Sequence, residues 1–247
     1  MPQIHVIIPC FNEGPTLSSC VDRILDVEWP ESWTAEIVII DDHSTDETRR
    51  IADDLSMRHG SINTMHHERN KGKGAAVRTG LERVLEIADP QDLVVIQDAD
   101  LEYDPSDLTE AVERFNDRSL DAIVGDRFRL WTQPSSMGTL HMLVNRFLTV
   151  ISNQLTGLSL ADMECCYKVL RVNIAQRILP GLDEERFGIE PQIAASLARR
   201  NANVGNMPIT YDPRTSAEGK KIGFKDGLRA LYVIFNEWLK GNASDDR

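Results

Sequence analysis

The sequence predicts an α/β protein built on a doubly wound, mostly parallel, Rossmann-like sheet with helices on both faces. Two observations carry that expectation. Short apolar runs rich in β-branched residues recur at positions 4–9, 35–40, 62–66 and 93–97, and the segments between them carry helical periodicity. The first, second and fourth runs also end in polar clusters, and open α/β sheets bind ligands outside the carboxyl ends of their strands.

The first run, IHVIIP, leads into a helix in which Leu17, Cys20, Val21, Ile24 and Leu25 follow i, i+3, i+4, i+7 and i+8. The second ends at Asp41-Asp42, where Ser44, Thr45 or Asp46 can cap the next helix. The third precedes Asn70-Lys71-Gly72-Lys73-Gly74 and a helix carrying Val77, Leu81, Val84, Leu85 and Ala88 on one face. The fourth ends among Asp98, Asp100, Glu102 and Asp104, and Asp104 before Pro105 reads as a helix cap with proline at the first helical position. After about residue 120 the alternation decays. A short strand at 122–125, a loop-like stretch at 127–138 and a helical stripe at 140–155 follow, the stripe formed by Leu140, Leu143, Val144, Phe147, Leu148, Ile151 and Leu155. A strand at 204–211 and a charged loop at 212–223 precede a last helix with Phe224, Leu228, Leu231, Phe235, Trp238 and Leu239 on one side. The expected organisation is one domain over residues 1–240, with halves about 1–125 and 126–240, and a frayed tail at 241–247.

Composition narrows the function classes. A formal net charge of −12 repels polyanions, so nucleic acid is not an expected partner. Cys10, Cys20, Cys165 and Cys166 lack a CxxC spacing and fit a reduced, cytoplasmic setting, with disulfides as the alternative because four is an even number. The opening MPQIHVIIPC enters a strand directly, so no signal peptide is expected. No stretch approaches the roughly eighteen uninterrupted apolar residues of a membrane-spanning helix.

Four acidic or basic clusters can carry chemistry. Asp98 and Asp100, two apart at a strand end, project to one side if the chain stays extended, and hard carboxylate oxygens suit Mg²⁺ or Mn²⁺ completed by substrate phosphates. A solvated acidic loop is the alternative. Successive acids at Asp41 and Asp42 suggest a carboxylate that accepts from a base or ribose hydroxyl. Lys71 and Lys73 gather at a helix N-terminus, where anions are favoured, although no Walker A loop is present and plain glycine-rich helix initiation competes. The basic stretch with Arg214, Lys220, Lys221 and Lys225 can fold over a phosphate, Arg214 being suited to a bidentate contact. His66 and His67 have no partner at metal-ligand spacing and are assigned to structure.

The ordered motifs IPCFNE, IIDDHSTDET, NKGKGAAVRTG and QDADLEYDP resemble the family 2 glycosyltransferases of GT-A fold, and most of all their polyprenyl- and dolichyl-phosphate mannose or glucose synthases. The resemblance runs from residue 4 to about residue 239. It implies that Pro9, Phe11, Glu13, Asp41 or Asp42, Lys73 and Asp98 hold the nucleotide, and that Asp98, Asp100 and Glu102 surround the metal. It also implies phosphate contacts from Arg127, Lys168, Arg214, Lys220 and Lys221, with Asp162 near the acceptor. Two departures from the mannose synthases bear on the donor sugar: Cys165-Cys166-Tyr167-Lys168 stands in place of SGFR, and Glu102 in place of Gln.

The implied function is an inverting, metal-dependent hexosyltransferase of cell-envelope glycan synthesis. It would use a GDP- or UDP-sugar and a lipid-phosphate acceptor, in peripheral contact with the cytoplasmic face of a membrane or with an integral membrane partner. A lipid phosphate would arrive largely ionised, whereas a hydroxyl acceptor would need Asp162 or Glu164 as base. Transfer to a polysaccharide or soluble acceptor, and a non-catalytic nucleotide-sugar binding module, are the competing functions. A nucleotidyltransferase is disfavoured because PCFNEGPTL lacks its glycine-rich, lysine-containing signature.

Overall fold

Burial on both faces dictates the first half of the molecule. Strands β1 (Gln3–Cys10), β2 (Thr34–Asp41), β3 (Ile62–His66) and β4 (Leu93–Ile96) are dominated by Ile, Val and Leu, and every residue of β4 is buried. Helices α1 (Leu17–Leu25), α2 (Thr48–Arg58) and α3 (Lys73–Ile87) cross between them. Each fully buried Ile or Leu contributes about 1.5–3 kcal/mol of apolar transfer. The computed structural model describes residues 1–116, 119–130, 139–214 and 224–244, with side chains for all of these except 139–141, 224–226 and 242–244.

The sheet has seven strands in the order β3-β2-β1-β4-β6-β5-β7. Strands β5 (Ala122–Asp126), β6 (Lys168–Arg171) and β7 (Val204–Pro208) complete it. Among the described strands only β6 is antiparallel, lying between β4 and β5. Parallel register aligns the strand ends: Cys10 is opposite Asp41, and Asp41 opposite His66. Because β6 runs the other way, the segment entering it, residues 162–167, arrives at this same edge. The expected mostly parallel sheet is present, and β6 is an element that the period-2 pattern did not announce.

Helices α4 (Leu108–Arg114), α5 (Thr139–Thr156), α6 (Val172–Ile178), α7 (Ile189–Arg199) and α8 (Phe224–Ser244) complete the described elements. Asp104 accepts from the Ser106 amide, and Pro105 opens a short 3₁₀ turn before α4, as the sequence predicts. The expected strand at 204–211 stops at Pro208, leaving an isolated bridge between Tyr103 and Tyr211. All four cysteines are buried.

The stripes of α5 and α8 do not simply pack on the core. Leu148 is buried, with Ile151 and Leu155 packed against the core, but Leu143, Val144, Phe147 and Val150 are exposed. The buried side of α5 carries Asn145, Thr149 and Ser152. In α8, Ala230, Val233, Ile234 and Glu237 face inward while Leu228, Tyr232, Phe235, Trp238 and Leu239 face outward. The two helices pack together, with Gly227 beside Val144, so their outward apolar faces adjoin.

Candidate active site

The loops after β1 and β2 are knitted into one rim. The Asn12 amide donates to Ser44 Oγ (2.9 Å), the Thr45 amide to Asn12 Oδ1 (2.8 Å), the Glu13 amide to Thr48 Oγ1 (2.8 Å) and the Gly14 amide to Asp46 Oδ2 (3.0 Å). Asn12 and His43 both take left-handed backbone, at φ 54° and 63°, which a tight rim of this kind requires. Asp46 also receives the Thr48 amide, and these bonds outweigh partial burial to hold its carboxyl below the usual range.

Asp41 and Asp42 have separate duties. Asp42 receives the Lys71 and Gly72 amides at 2.8 and 2.7 Å and lies 2.7 Å from His67 Nδ1, so it anchors the loop before α3. Two amides and a ring nitrogen already engage its oxygens. Asp41 receives one amide, from Ser44, and lies 3.3 Å from His66 Nδ1; it keeps acceptor capacity, although it is sealed from solvent. His66 and His67 therefore serve the rim, as expected. Phe11 stands exposed above it and Pro9 is half-buried.

The N-terminus of α3 is not an open anion site. Loop 184–186 lies across it: the Ala75 amide donates to the Glu185 carbonyl (3.1 Å), and a Cβ at Gly72 or Gly74 would collide with the carbonyls of Glu185 and Glu184. The glycines allow this close approach, and Gly72 needs its φ of +98°. Lys73 leaves the helix end and places Nζ 2.8 Å from Asp98 and 2.8 Å from Glu190. Glu190, in the first turn of α7, had no signal in the sequence apart from its place in FGIEPQ.

Past β4 the chain turns through Leu101 at φ 64°, bringing the acids round the crevice. Asp100 Oδ1 accepts from the Glu102 amide (3.2 Å), and Asp100 Oδ2 is 3.3 Å from Arg214. Glu102 accepts from the Tyr211 hydroxyl (2.7 Å) and the Arg214 amide (2.9 Å). The Arg214 guanidinium also reaches Glu13 at 3.4 Å, so one cation links the loops after β1 and β4. Among the described residues no group of three His, Cys, Asp or Glu side chains forms a protein-only metal cage. The donor set still fits Mg²⁺ or Mn²⁺, which take one or two carboxylates and complete their shell with water and phosphate.

On the opposite side Arg127 and Asp162 form a buried bidentate pair, at 2.5 and 2.9 Å. The inner polar face of α5 fixes the loop bearing Asp162: Thr149 Oγ1 accepts from the Met163 amide, and Asn153 bonds both the amide and the carbonyl of Leu160. Lys168 is fully buried and donates to the carbonyls of Met163 and Cys165 at 3.1 and 2.5 Å. It braces this loop from within. Glu164 is pushed up to about 8, first by burial and then by the charge of Glu190. Lys220 and Lys221 lie outside the described residues, as does the side chain of Lys225.

A pocket of about 460 Å³ is lined by Asp126, Phe128, Arg129, Arg146, Val150 and Leu160 among others. Phe128 lies between two guanidinium groups, with Arg127 at 5.8 Å and Arg146 at 5.2 Å from its ring centre. Arg129 and Arg146 were missed in the sequence because the first sits in an irregular turn and the second interrupts an apolar stripe. The pocket is thus both basic and apolar, and its Val150 belongs to the outward face of α5.

The chain is 27% identical over 240 residues to the dodecaprenyl-phosphate galacturonate synthase of Rhizobium johnstonii, covering 94% of this chain and 67% of that one. It is 26% identical to the undecaprenyl-phosphate mannosyltransferase of Micrococcus luteus, covering 90% and 88%. Among solved structures, the glucosyl-3-phosphoglycerate synthase of Mycobacterium tuberculosis, crystallised with Mn²⁺, UDP and phosphoglyceric acid, matches with a TM-score of 0.69 at 16% identity. That match covers 96% of this chain and 78% of that one. The fold is GT-A. With residues 5–179 matching the model of glycosyl transferase family 2, the chain belongs to that family.

Proposed function

We propose that this glycosyltransferase moves a hexosyl group from a nucleotide-sugar to a polyprenyl phosphate at a membrane surface, with inversion at the anomeric carbon. One observation carries the choice of acceptor. Neither acid placed to act as base for a hydroxyl nucleophile is available: Asp162 has both oxygens on Arg127, and Glu164 is held neutral by burial and Glu190. A phosphate monoester needs no such base, since its second pKa near 6 leaves it largely ionised at neutral pH. The names of the relatives, which include dodecaprenyl- and undecaprenyl-phosphate transferases, support the same class of acceptor.

The nucleoside lies against Pro9 and Phe11, with Asp41 beneath them as acceptor. Asp100, flanked by Asp98 and Glu102, would hold a Mg²⁺ or Mn²⁺ ion, which would neutralise charge growing on the departing diphosphate. Arg214 leaves Glu13 and Asp100 for those phosphates, a contact that strengthens as charge develops. The acceptor phosphate occupies the pocket of Arg129 and Arg146, and Arg127 is oriented by Asp162 beside it. Its oxygen attacks the anomeric carbon, the bond to the nucleoside diphosphate breaks, and no proton is transferred.

Among the described residues no helix is long and apolar enough to cross a membrane. The outward faces of α5 and α8 supply the membrane contact instead, as interfacial helices do, and the acceptor pocket opens beside them. Incubation with a panel of GDP- and UDP-sugars, vesicles carrying polyprenyl phosphate, and Mg²⁺ or Mn²⁺ tests the proposal. The expected result is a sugar phosphate on the lipid with one equivalent of nucleoside diphosphate released. Transfer confined to a soluble acceptor contradicts it.

A further inference from the structure

Behind the acid cluster lies a second layer of charge that the mechanism does not use. Lys73 Nζ sits between Asp98 and Glu190, 2.8 Å from each, and joins the end of β4 to the first turn of α7. Glu190 is 6% exposed, and its Oε2 has no hydrogen-bond partner. Glu164 Oε1 is likewise sealed and without a partner. A buried carboxylate oxygen left alone is costly. The charge of Glu190 acts on Glu164, and a proton held between the two carboxyls would satisfy both oxygens.

We propose that Glu190 is a positioning residue, holding Lys73 across the crevice onto Asp98, while Glu164 in its protonated form donates to the free oxygen of Glu190. The inference rests on Asp98 lying in the donor site, and not on which acceptor is used. Lys73 then acts as a resident counter-ion that fixes the Asp98 carboxylate behind the donor phosphates. Ionised Glu164 would place a second negative charge beside Glu190 and draw Lys73 away from Asp98. The charged groups facing Glu164 are Glu190 from α7, Lys168 from β6, Arg127 after β5 and Asp162 from its own loop. Lys168 and Arg127 favour ionisation, but burial and Glu190 outweigh them and leave the acid near 8.

Glu190→Gln removes the charge that holds Lys73 and should lower kcat about 10–100-fold, as loss of an orienting partner does at metal sites, with donor KM little changed. Glu190→Asp should recover part of the loss. Glu164→Gln imitates the protonated acid. It should keep kcat at pH 7 within about two-fold while abolishing a fall in activity centred near pH 8. A readout independent of activity is the thermal midpoint against pH. Because Glu164 binds its proton more tightly when folded, wild-type stability should fall from about pH 4.5 to about pH 8 and level off above, and Glu164→Gln should lack that slope. Unchanged kcat in Glu190→Gln, an inactive Glu164→Gln at pH 7, or equal pH slopes in wild type and Glu164→Gln would overturn the inference. If Glu190→Gln does not fold, the two Glu164 measurements still decide. A wild type that transfers nothing to polyprenyl phosphate counts against the acceptor, whereas defects confined to the variants bear on the positioning network.

Discussion

Helices α1 and α5 carry similar apolar stripes, yet α1 turns Leu17, Cys20, Val21 and Ile24 into the core while α5 turns Leu143, Val144, Phe147 and Val150 out to solvent. The contrast extends to the two halves of the molecule. Around β1 to β4 the sheet takes up the apolar faces, and acids at the strand ends are held by backbone amides and histidines. In the second half the inward surfaces are occupied by charge and amide groups: Arg127 with Asp162, Lys168 on carbonyls, Asn145 and Thr149 beneath α5. An apolar stripe states only that something apolar covers it. In the first half that partner is the sheet, and in the second we propose that it is the lipid surface that brings the acceptor.

The largest effect expected from this division falls on the donor side. Asp100→Asn should lower kcat by about 10²–10³, the usual cost of removing one charge-stabilising group, while the thermal midpoint stays near wild type. Asp100 is partly exposed at a loop after β4 and packs no core, so a variant that fails to fold would break the distinction between site and scaffold.

A smaller effect, on a different observable, is expected from the reversed helix. Phe147→Glu should alter stability by no more than about 0.5 kcal/mol, because the ring is 57% exposed, yet abolish co-sedimentation with vesicles containing polyprenyl phosphate. The same charge in β4, such as Val95→Glu, would be buried and unpaired and should prevent folding. A large fall in melting temperature for Phe147→Glu would mean that α5 is covered within the protein, and the contrast between the halves would collapse.

How far the sequence was legible follows the same division. The strands at 4–9, 35–40, 62–66 and 93–97 fall within one or two residues of β1 to β4, because each is an apolar run bounded by turn chemistry. Strand β6 was hidden by its brevity: KVLR is four residues long and its first is a lysine whose ammonium finds carbonyls inside the protein. Helix α7 was hidden for the opposite reason. Its residues from Ile189 to Leu197 are all buried, Glu190, Gln192 and Ser196 included, so there is no polar face to give a period. Of the expected site residues, Asp100 and Glu102 meet Arg214, Asp98 meets Lys73, and Arg127 pairs with Asp162. Glu190 was illegible because only the tertiary fold brings it to Lys73, and the loop contacts of Asp42 and Lys168 were illegible for the same reason.

The central claim is that the acceptor oxygen is ionised on arrival and needs no base from the protein. It is tested most directly by offering polyprenyl phosphate and the corresponding polyprenol in identical vesicles and measuring transfer between pH 5 and 8. The account predicts transfer to the phosphate alone, with a rate that rises through a pKa near 6 belonging to the acceptor and unmoved by Glu164→Gln. Transfer to the polyprenol, or an acid limb that vanishes in Glu164→Gln, would show a protein base at work and contradict the account.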